Sequence, residues 1–258
     1  METLKVNHLT QRFGGVVAIE DVSCEVKMGE KVGIIGPNGA GKTTLFNCLT
    51  GIYVPTEGSI SLNGETTTEL TGMSVEKITE LGLARTFQNI RLFKDLTLLD
   101  NLKVAMNFNV NYSKFDAVFR TRNFYREERI MQEKADSYLD IVDLKDKAEQ
   151  KASSLSYGEQ RRLEIVRALA TGAKYLFLDE PAAGMNPQET NDLRDFINLI
   201  HSKFELTIVL IEHDMGFVMD LCDRIYVLNY GKCIAEGTPK EIQSNKLVID
   251  AYLGNEDA

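Results

Sequence analysis

The sequence predicts an α/β fold in which a mixed sheet is flanked by helices, with an antiparallel β part at the N-terminus and a helical insertion. Three observations indicate this fold. Apolar and polar residues alternate in 4–9 and 22–26, which is typical of strands. Residues 74–152 are rich in charge, and 126–142 show the apolar spacing of an amphipathic helix. From Tyr175 onward strand and helix patterns alternate, which predicts βαβ units.

The individual elements follow in chain order. Residues 31–36 form an apolar run typical of a buried strand, and after a glycine-rich turn residues 43–49 have helical spacing that ends at Gly51. The later pattern predicts strands at 175–179, 207–211 and 224–228, with helices at 188–204 and 216–221. A strand, a glycine turn and a helix in that order are the local structure that a phosphate-binding loop requires.

Composition limits the classes of protein to which the chain can belong. It has 258 residues, 43% hydrophobic and 26% charged, which is typical of a globular protein with a sizeable core. Apolar runs such as 32–35 and 208–211 are much shorter than a membrane span, and residues 1–5 show no secretory pattern. We therefore expect a cytoplasmic protein without a transmembrane segment. The net charge of −9 argues against nucleic acid as a partner.

Residues 36–43 match the phosphate-loop pattern G-x-x-x-x-G-K-[ST]. Glycines let the backbone approach phosphate oxygens closely, and the helix N-terminus that follows offers N–H groups to an anion. Lys42 can reach the β- and γ-phosphates, and the hydroxyl of Thr43 can ligate Mg²⁺. The residues predicted to contact the nucleotide are Gly36, Pro37, Asn38, Gly39, Ala40, Gly41, Lys42, Thr43 and Thr44.

A second group of functional residues follows the apolar segment 175–178, which ends in Asp179 and Glu180. Successive strand residues point in opposite directions, so the two carboxylates can have different roles. We expect Asp179 to hold Mg²⁺ and Glu180 to act as the base that polarises the attacking water. An apolar strand that ends in two acids is by itself often only a solvated strand end, and the upstream phosphate loop favours catalysis.

The segment Leu155-Ser156-Tyr157-Gly158-Glu159-Gln160 resembles the LSGGQ signature of ABC ATPases, with Tyr157 in place of the first glycine. The resemblance implies a P-loop NTPase core with an α-helical signature subdomain, in which ATP and Mg²⁺ are the cofactors. It also implies a head-to-tail dimer, because the signature of one subunit contacts the nucleotide held by the other. Ser156, Gly158 and Glu159 are the residues to which it assigns that contact.

Other positions match the same family in order. Gln88 resembles the Q-loop glutamine, which is expected to contact Mg²⁺ or water, and His213 resembles the switch histidine that contacts the γ-phosphate. Phe13 lies where the family places an aromatic ring that stacks on adenine. The expected catalytic set is therefore Lys42, Gln88, Glu180 and His213, and the expected metal ligands are Thr43, Gln88 and Asp179.

The resemblance implies a single ABC ATPase domain over 1–258, with a core of 1–87 and 160–258 and a helical lobe of about 88–159. In the loop after Glu180, Asn186 stands where the family usually has an aspartate, which loses a charge but keeps hydrogen-bonding capacity. Ile90, Leu92 and Phe93 are expected to be exposed in a groove that receives a helix of a membrane subunit, although they could simply pack the helical lobe.

Several segments are similar to the branched-chain amino acid importer subfamily, among them 84–93, 180–187, 211–215 and 251–254. This similarity implies a second ATPase subunit and membrane permease subunits as direct partners, an external binding protein as an indirect one, and a site of action at the cytoplasmic face of the membrane. The lipopolysaccharide-export ATPase is the alternative that shares most features. A soluble ABC ATPase, a P-loop kinase and a nucleotide-dependent scaffold fit the motifs less well.

Overall fold

The structure is a computed structural model that describes residues 2–107, 110 and 112–253. Gly254, the last residue of the segment 251–254, therefore lies outside the described residues. The chain forms two compact units, one from the chain up to Gln88 and from Lys174 onward, the other from Asn89–Ala173. The second boundary differs from the expected break at 159/160, because one continuous helix, Tyr157–Leu169, runs across that point.

The elements are as follows. The described strands are β1 (Thr3–Phe13), β2 (Val16–Lys27), β3 (Lys31–Ile35), β4 (Glu57–Asn63), β5 (Thr67–Glu69), β6 (Leu83–Arg85), β7 (Tyr175–Asp179), β8 (Thr207–Ile211), β9 (Arg224–Asn229) and β10 (Lys232–Gly237). The described α-helices are α1 (Lys42–Leu49), α2 (Val75–Glu80), α3 (Leu98–Met106), α4 (Lys114–Phe119), α5 (Arg122–Ile141), α6 (Tyr157–Leu169), α7 (Pro187–Phe204), α8 (Met215–Leu221), α9 (Pro239–Gln243) and α10 (Lys246–Leu253).

All of these strands belong to the first unit, where they form two sheets. One sheet is antiparallel with the order β2-β1-β4-β5, which confirms the predicted N-terminal β part. The other has the order β10-β9-β3-β8-β7-β6, and its strands are parallel except for β10. Strands β7 and β8 are buried at every residue, as expected for central parallel strands covered on both faces.

The strand order decides where the functional side chains meet. Strand β8 pairs with both β3 and β7 in parallel, so the carboxyl ends of these three strands lie at one edge of the sheet. The glycine loop follows β3, Glu180 follows β7 and His213 follows β8. In open α/β sheets the carboxyl edge is the usual place for a ligand.

A tight turn, Tyr230-Gly231, joins β9 to β10, in which Asn229 pairs with Lys232. Both turn residues have positive φ, 45° for Tyr230 and 78° for Gly231, which is the backbone of a type I′ hairpin. The turn contacts β2 and the loop after β3, because Gly231 accepts from the N–H of Glu20 at 2.8 Å and donates to the carbonyl oxygen of Ala40 at 3.1 Å. This hairpin extends the sheet beyond the last strand that the sequence pattern predicted.

The second unit is helical, as predicted. Helix α5 begins at Arg122, ahead of the expected start at 126, because the hydroxyl of Thr121 caps it by accepting from the N–H of Phe124. Buried apolar residues of α3, α5 and α6 form its core, and Arg161 is buried in an ion pair with Glu164 at 2.9 Å. Leu92 is also buried, so its expected exposure was wrong, while Phe93 is exposed with Arg167 over its ring.

Among the described residues, no helix combines the length and the apolar character that crossing a bilayer would need.

Candidate nucleotide-binding site

The loop between β3 and α1 depends on two glycines at its ends. Gly36 has φ 150°, and a Cβ atom there would lie 2.0 Å from the carbonyl oxygen of Leu228. Gly41 has φ 97°, and its Cβ would lie 2.6 Å from the carbonyl oxygen of Ala18. Any other residue would therefore clash with backbone and would also be strained. The loop is packed against its neighbours closely enough that both positions require glycine.

Lys42, the first residue of α1, points back into the loop. Its Nζ donates to the carbonyl oxygen of Gly36 at 2.7 Å and to that of Pro37 at 2.9 Å. Burial lowers the pKa of Lys42, and the nearby carboxylate of Glu180 opposes this shift. The ammonium group therefore lies at the centre of the loop, where phosphate oxygens would replace carbonyl oxygens as its partners.

Glu180 connects three segments that are far apart in sequence. His213 Nε2 lies 2.9 Å from Glu180 Oε1, and Gln88 Nε2 donates to Glu180 Oε2 at 2.6 Å. Glu180 has φ 46°, a conformation that is uncommon for a residue with a Cβ and that often marks functional sites. The structure thus brings together three of the four residues that the sequence assigns to catalysis, and Lys42 faces the same carboxylate.

Asp179 forms a buried ion pair that sequence reasoning missed. Its Oδ2 lies 2.5 Å from Arg85 Nη2, and less than a tenth of either side chain is exposed. Arg85 stands at the end of β6 and is far from Asp179 in the chain. The only sequence signal for this pair is that Arg85 lies close to Gln88, the predicted Q-loop glutamine. That signal does not show that Asp179 is the partner of Arg85.

Glu212 is a second residue that the motifs did not single out. It is buried at the end of β8, where its Oε1 accepts from the N–H of Ala182 and its Oε2 from the N–H of His213, both at 2.8 Å. Burial raises the pKa of Glu212, and the backbone hydrogen bonds oppose that shift. One carboxylate therefore holds the loop after Glu180 and the loop that carries His213 in fixed relative positions.

A cavity of about 490 Å³ lies along the loop, within the size range of small-molecule sites. Predicted residues in its wall are 38–44, Glu180 and His213. The rest of the wall consists of Val16, Val17, Ala18, Tyr230 and Gly231, which no motif indicated. Gly231 donates its N–H to the carbonyl oxygen of Ala40 at 3.1 Å, so the β9–β10 hairpin supports the loop.

Phe13 does not belong to the lining of this cavity. Its ring contacts Tyr53 edge to face, with centroids 5.1 Å apart, and 44% of the residue is exposed. An edge-to-face contact leaves one ring face available for stacking. The adenine contact that the resemblance implies therefore stays a prediction.

The residues present fit Mg²⁺. The described residues contain no cluster of three or more His, Cys, Asp or Glu side chains that could hold a metal. Mg²⁺ in nucleotide sites usually takes one or two protein oxygens and completes its shell with phosphate and water. Thr43, Gln88 and Asp179 offer a hydroxyl, an amide and a carboxylate oxygen, which are the hard ligands that this ion prefers.

The signature residues lie in the second unit, at the start of α6. The Ser156 hydroxyl oxygen accepts from the N–H of Glu159 at 3.4 Å, and Glu159 Oε2 accepts from the N–H of Ser156 at 2.9 Å, which forms a capping box. Lys147 Nζ lies 2.5 Å from Glu159 Oε1, and this hydrogen bond is the main reason that the pKa of Glu159 falls to about 2. Gly158 is partly exposed, with open space where a Cβ would be.

Asn186, the departure from the family in the loop after Glu180, caps α7. Its Oδ1 accepts from the N–H groups of Gln188 and Glu189, both at 3.0 Å, and Glu189 accepts in return from the N–H of Asn186 at 2.9 Å. Asparagine is among the best residues for this position. The substitution therefore keeps a strong helix start without the negative charge.

Comparison with known proteins decides the family. The family model described as ABC transporter matches residues 19–183, which is more than half of the chain. The chain belongs to the ABC transporter family. A second model, described as branched-chain amino acid ATP-binding cassette transporter, matches residues 232–258 of this cassette.

Similar proteins extend over almost the whole cassette. It is 49% identical over 251 residues to the high-affinity branched-chain amino acid transport ATP-binding protein BraF of Pseudomonas aeruginosa, covering 97% of both chains. The protein of the same description named LivG, from Escherichia coli K12, is 46% identical over 97% of both chains. The crystal structure of the ADP conformation of an ATP-binding cassette of an ABC transporter has 32% identity and a TM-score of 0.84, and covers 98% of this chain and 99% of that one. The family and fold predicted from the motifs are confirmed.

Proposed function

We propose that this cassette hydrolyses ATP in the presence of Mg²⁺ and powers the import of branched-chain or related amino acids through separate membrane subunits. The observation that carries the proposal is the cavity at the carboxyl edge of the sheet, where the glycine loop, Glu180 and His213 line one wall. The chemistry of these residues suits phosphate binding and hydrolysis. The proposed cargo is supported by relatives that match nearly the full chain and whose names specify branched-chain amino acid transport.

The glycine loop and the residues around Glu180 have distinct roles in this proposal. The loop N–H groups and Lys42 bind the β- and γ-phosphates and offset their charge. Glu180 accepts a proton from the water whose oxygen attacks the γ-phosphorus, while the bond to the β-phosphate oxygen breaks and ADP leaves. Gln88 and His213 hold the carboxylate of Glu180 from two sides. We assign to His213 a contact with the γ-phosphate.

Thr43, Gln88 and Asp179 would hold Mg²⁺, which when bound neutralises phosphate charge and orients the phosphate oxygens. Among these ligands Asp179 is the one whose side chain is buried and fixed by an ion pair. Gln88 contacts Glu180 through its amide nitrogen. We assign its amide oxygen to the metal, because oxygen is the ligand atom that Mg²⁺ prefers. One glutamine would then connect the metal and the base.

The active unit of this proposal is a head-to-tail dimer of cassettes, either two copies or this chain with a second ATPase subunit. Ser156, Gly158 and Glu159 would contact the nucleotide bound by the other cassette. The start of α6 supports this role, because Gly158 is open and the helix N-terminus can face an anion. Closure of two cassettes over the nucleotide would exclude water from it.

Membrane permease subunits complete the proposed transporter at the cytoplasmic face of the membrane, together with an external binding protein that delivers the cargo. The partly exposed Ile90 and the exposed Phe93 are the side chains of the segment after Gln88 that can bury apolar area against a permease helix. Leu92 cannot take part in this contact, because it already packs inside the helical unit. Export of lipopolysaccharide is the alternative, and the names of the relatives favour amino-acid import over it.

The test uses a strain that lacks this gene, complemented with the wild type or with Glu180→Gln. We expect wild-type complementation to restore ATP-dependent uptake of leucine, isoleucine or valine that also requires an external binding protein. Glu180→Gln should still bind ATP but slow hydrolysis by about 10² to 10⁴, the usual contribution of a general base, and should not restore uptake. ATP hydrolysis by the purified subunit is measured alongside.

Two outcomes would contradict different parts of the proposal. Intact uptake in the deletion strain together with defective lipid export would rule out amino-acid import and leave the ATPase in place. Normal hydrolysis by the Glu180→Gln variant would remove Glu180 from its proposed role.

A further inference from the structure

Arg85 is a buried arginine that the proposed mechanism does not use. Its side chain is 6% exposed, and its Nη2 lies 2.5 Å from Asp179 Oδ2. Its Nη1 donates to Asn47 Oδ1 at 2.7 Å and to Thr50 Oγ1 at 3.2 Å. Strand β6 ends at Arg85, while Asn47 belongs to α1 and Thr50 directly follows it, so one guanidinium joins three segments of the first unit.

Two aromatic rings fix the plane of this guanidinium. Its Cζ lies 5.5 Å from the centroid of Phe46 and 5.2 Å from that of Phe87. Arginine can stack on aromatic rings and donate in the plane at the same time, which the compact ammonium group of lysine cannot do. The rings therefore restrict the direction in which the Arg85 donors point, and so the position of the carboxylate that they hold.

The contacts of Arg85 and its place in the chain connect it to the three proposed metal ligands. Helix α1, which Arg85 contacts at Asn47, begins with Lys42 and Thr43. Gln88 follows Arg85 by three residues in the chain. Asp179 has one oxygen engaged by Arg85, so the other oxygen is the one that we assign to the metal. Residues that hydrogen-bond to metal ligands orient them and strongly affect metal affinity.

We propose that Arg85 is a positioning residue that holds Asp179 in the orientation required for Mg²⁺ binding and connects it to α1. The inference rests on the proposed function, since it concerns the same metal. Arg85 would then affect the affinity for Mg²⁺ in addition to the stability of the fold. A buried ion pair often contributes little to stability compared with apolar residues of similar size, so stability alone is a weak reason for this pair.

The experiment compares Arg85→Met and Arg85→Lys with the wild type in the full chain. Binding of a fluorescent ATP analogue is measured in EDTA and again across a Mg²⁺ titration, and thermal unfolding is followed for each variant. Arg85→Met should leave binding in EDTA unchanged but raise the Mg²⁺ concentration for half-maximal effect by about 10- to 100-fold, as for other residues that orient metal ligands. Arg85→Lys should give a smaller shift, because lysine keeps the charge but cannot reproduce the hydrogen bonds that the guanidinium donates to both Asp179 and Asn47.

Arg224→Met is the matched control. Arg224 Nε lies 2.7 Å from Glu30 Oε1 in the same unit, and Arg224 is paired with Val32 near the start of β3, at the end of the sheet away from the loop. This variant should lower the thermal midpoint without changing the Mg²⁺ dependence. Asn47→Ala serves if Arg85→Met does not fold, because it keeps the ion pair but removes the shorter of the two hydrogen bonds that Arg85 Nη1 donates. It should shift the Mg²⁺ dependence in the same direction.

Two results would overturn the inference. One is an unchanged Mg²⁺ dependence in folded Arg85→Met and Asn47→Ala. The other is an equal loss of binding in EDTA and in Mg²⁺ that follows the loss of thermal stability, which would make the role of Arg85 purely structural. Failure of the proposed function is distinguishable, because the wild type itself would then show no Mg²⁺-dependent binding of the analogue.

Discussion

At the scale of single residues, the fold joins motif residues from distant parts of the chain, and Glu212, which no motif singled out, supports them. Glu180 is bonded on one side by Gln88 and on the other by His213, and Glu212 holds the backbone of His213. A carboxylate held in this way needs little reorganisation before it accepts a proton, which is the main contribution that a preorganised site makes to catalysis. The sequence identified Gln88 and His213, but their hydrogen bonds to Glu180 are visible only in the folded chain.

The contact between Phe13 and the base of the nucleotide is a prediction at this scale. The rings of Phe13 and Tyr53 meet edge to face, and 44% of Phe13 is exposed, which leaves a face of its ring open to stacking. We expect Phe13→Ala to weaken binding of ATP, and of GTP alike, by about 5- to 150-fold, which corresponds to a stacking contribution of 1 to 3 kcal/mol. Titration of the purified cassette with each nucleotide measures this effect.

Tyr230→Ala is the matched control, since Tyr230 is the aromatic residue in the cavity wall and is itself highly exposed. A smaller loss than for Phe13→Ala is expected. If Tyr230→Ala loses affinity and Phe13→Ala does not, the base stacks on the hairpin and the role assigned to Phe13 is wrong.

At the scale of elements, polar caps decide where the functional helices begin. Helix α6 begins at the box formed by Ser156 and Glu159, and α7 begins at the box formed by Asn186 and Glu189. A side chain that satisfies the free N–H groups of the first turn also fixes the direction in which that turn points. The signature serine therefore has a structural role in its own subunit in addition to the contact proposed with the other one.

The pH dependence of α6 follows from the pKa of Glu159, which falls from the ordinary 4.5 to about 2, chiefly through the hydrogen bond from Lys147. A carboxylate with a lowered pKa stabilises the fold above its unfolded pKa, and this contribution is lost as pH falls from about 4.5 toward 2. We expect Glu159→Gln to reduce the free energy of unfolding at pH 7 by roughly 0.2 to 1 kcal/mol, because Lys147 is partly exposed. Urea unfolding from pH 7 to pH 3 measures the difference.

The difference between wild type and Glu159→Gln should shrink below about pH 4.5, where the carboxylate of the unfolded chain takes up a proton while that of the folded chain stays charged. Lys147→Met is the control, and it should remove most of the same pH dependence because it removes the main cause of the shift. A difference in the free energy of unfolding that stays constant down to pH 3 would show that the contribution of Glu159 to stability does not depend on its charge.

At the scale of the whole molecule, the proposed dimer predicts that a single subunit can bind ATP, whereas hydrolysis requires contacts from the second subunit. If Ser156 contacts the nucleotide of the other cassette, Ser156→Arg should suppress turnover while the affinity of the isolated subunit for ATP is nearly unchanged. The physical reason is that the bulky cation blocks closure over the γ-phosphate but lies outside the subunit's own loop. Steady-state hydrolysis and equilibrium binding, measured on the same preparation, provide the comparison.

Ser156→Ala is the control for the helix cap, since it removes the hydroxyl without adding bulk and should cost about 1 kcal/mol of stability. Equal losses of binding and hydrolysis in isolated Ser156→Arg would count against the contact between subunits.

Local patterns in the sequence were sufficient for the elements that depend on neighbouring residues. The strand β3, the glycine loop and α1 follow from apolar periodicity and from the close spacing of glycines, lysine and threonine, all within 31–49. The motifs around Gln88, Ser156, Glu180 and His213 were sufficient for the family. These features are determined within short segments, because backbone conformation and helix capping act over a few residues.

Only the tertiary structure decided which residues meet. Arg85 and Asp179 are 94 residues apart in the chain, and their ion pair exists because β6 and β7 are neighbours in the sheet. The order β3-β8-β7 places the loop, His213 and Glu180 at one edge, and the β9–β10 turn places Tyr230 in the cavity wall. Strand order depends on packing over the whole unit, and a single sequence shows which segments are apolar but not which of them pair.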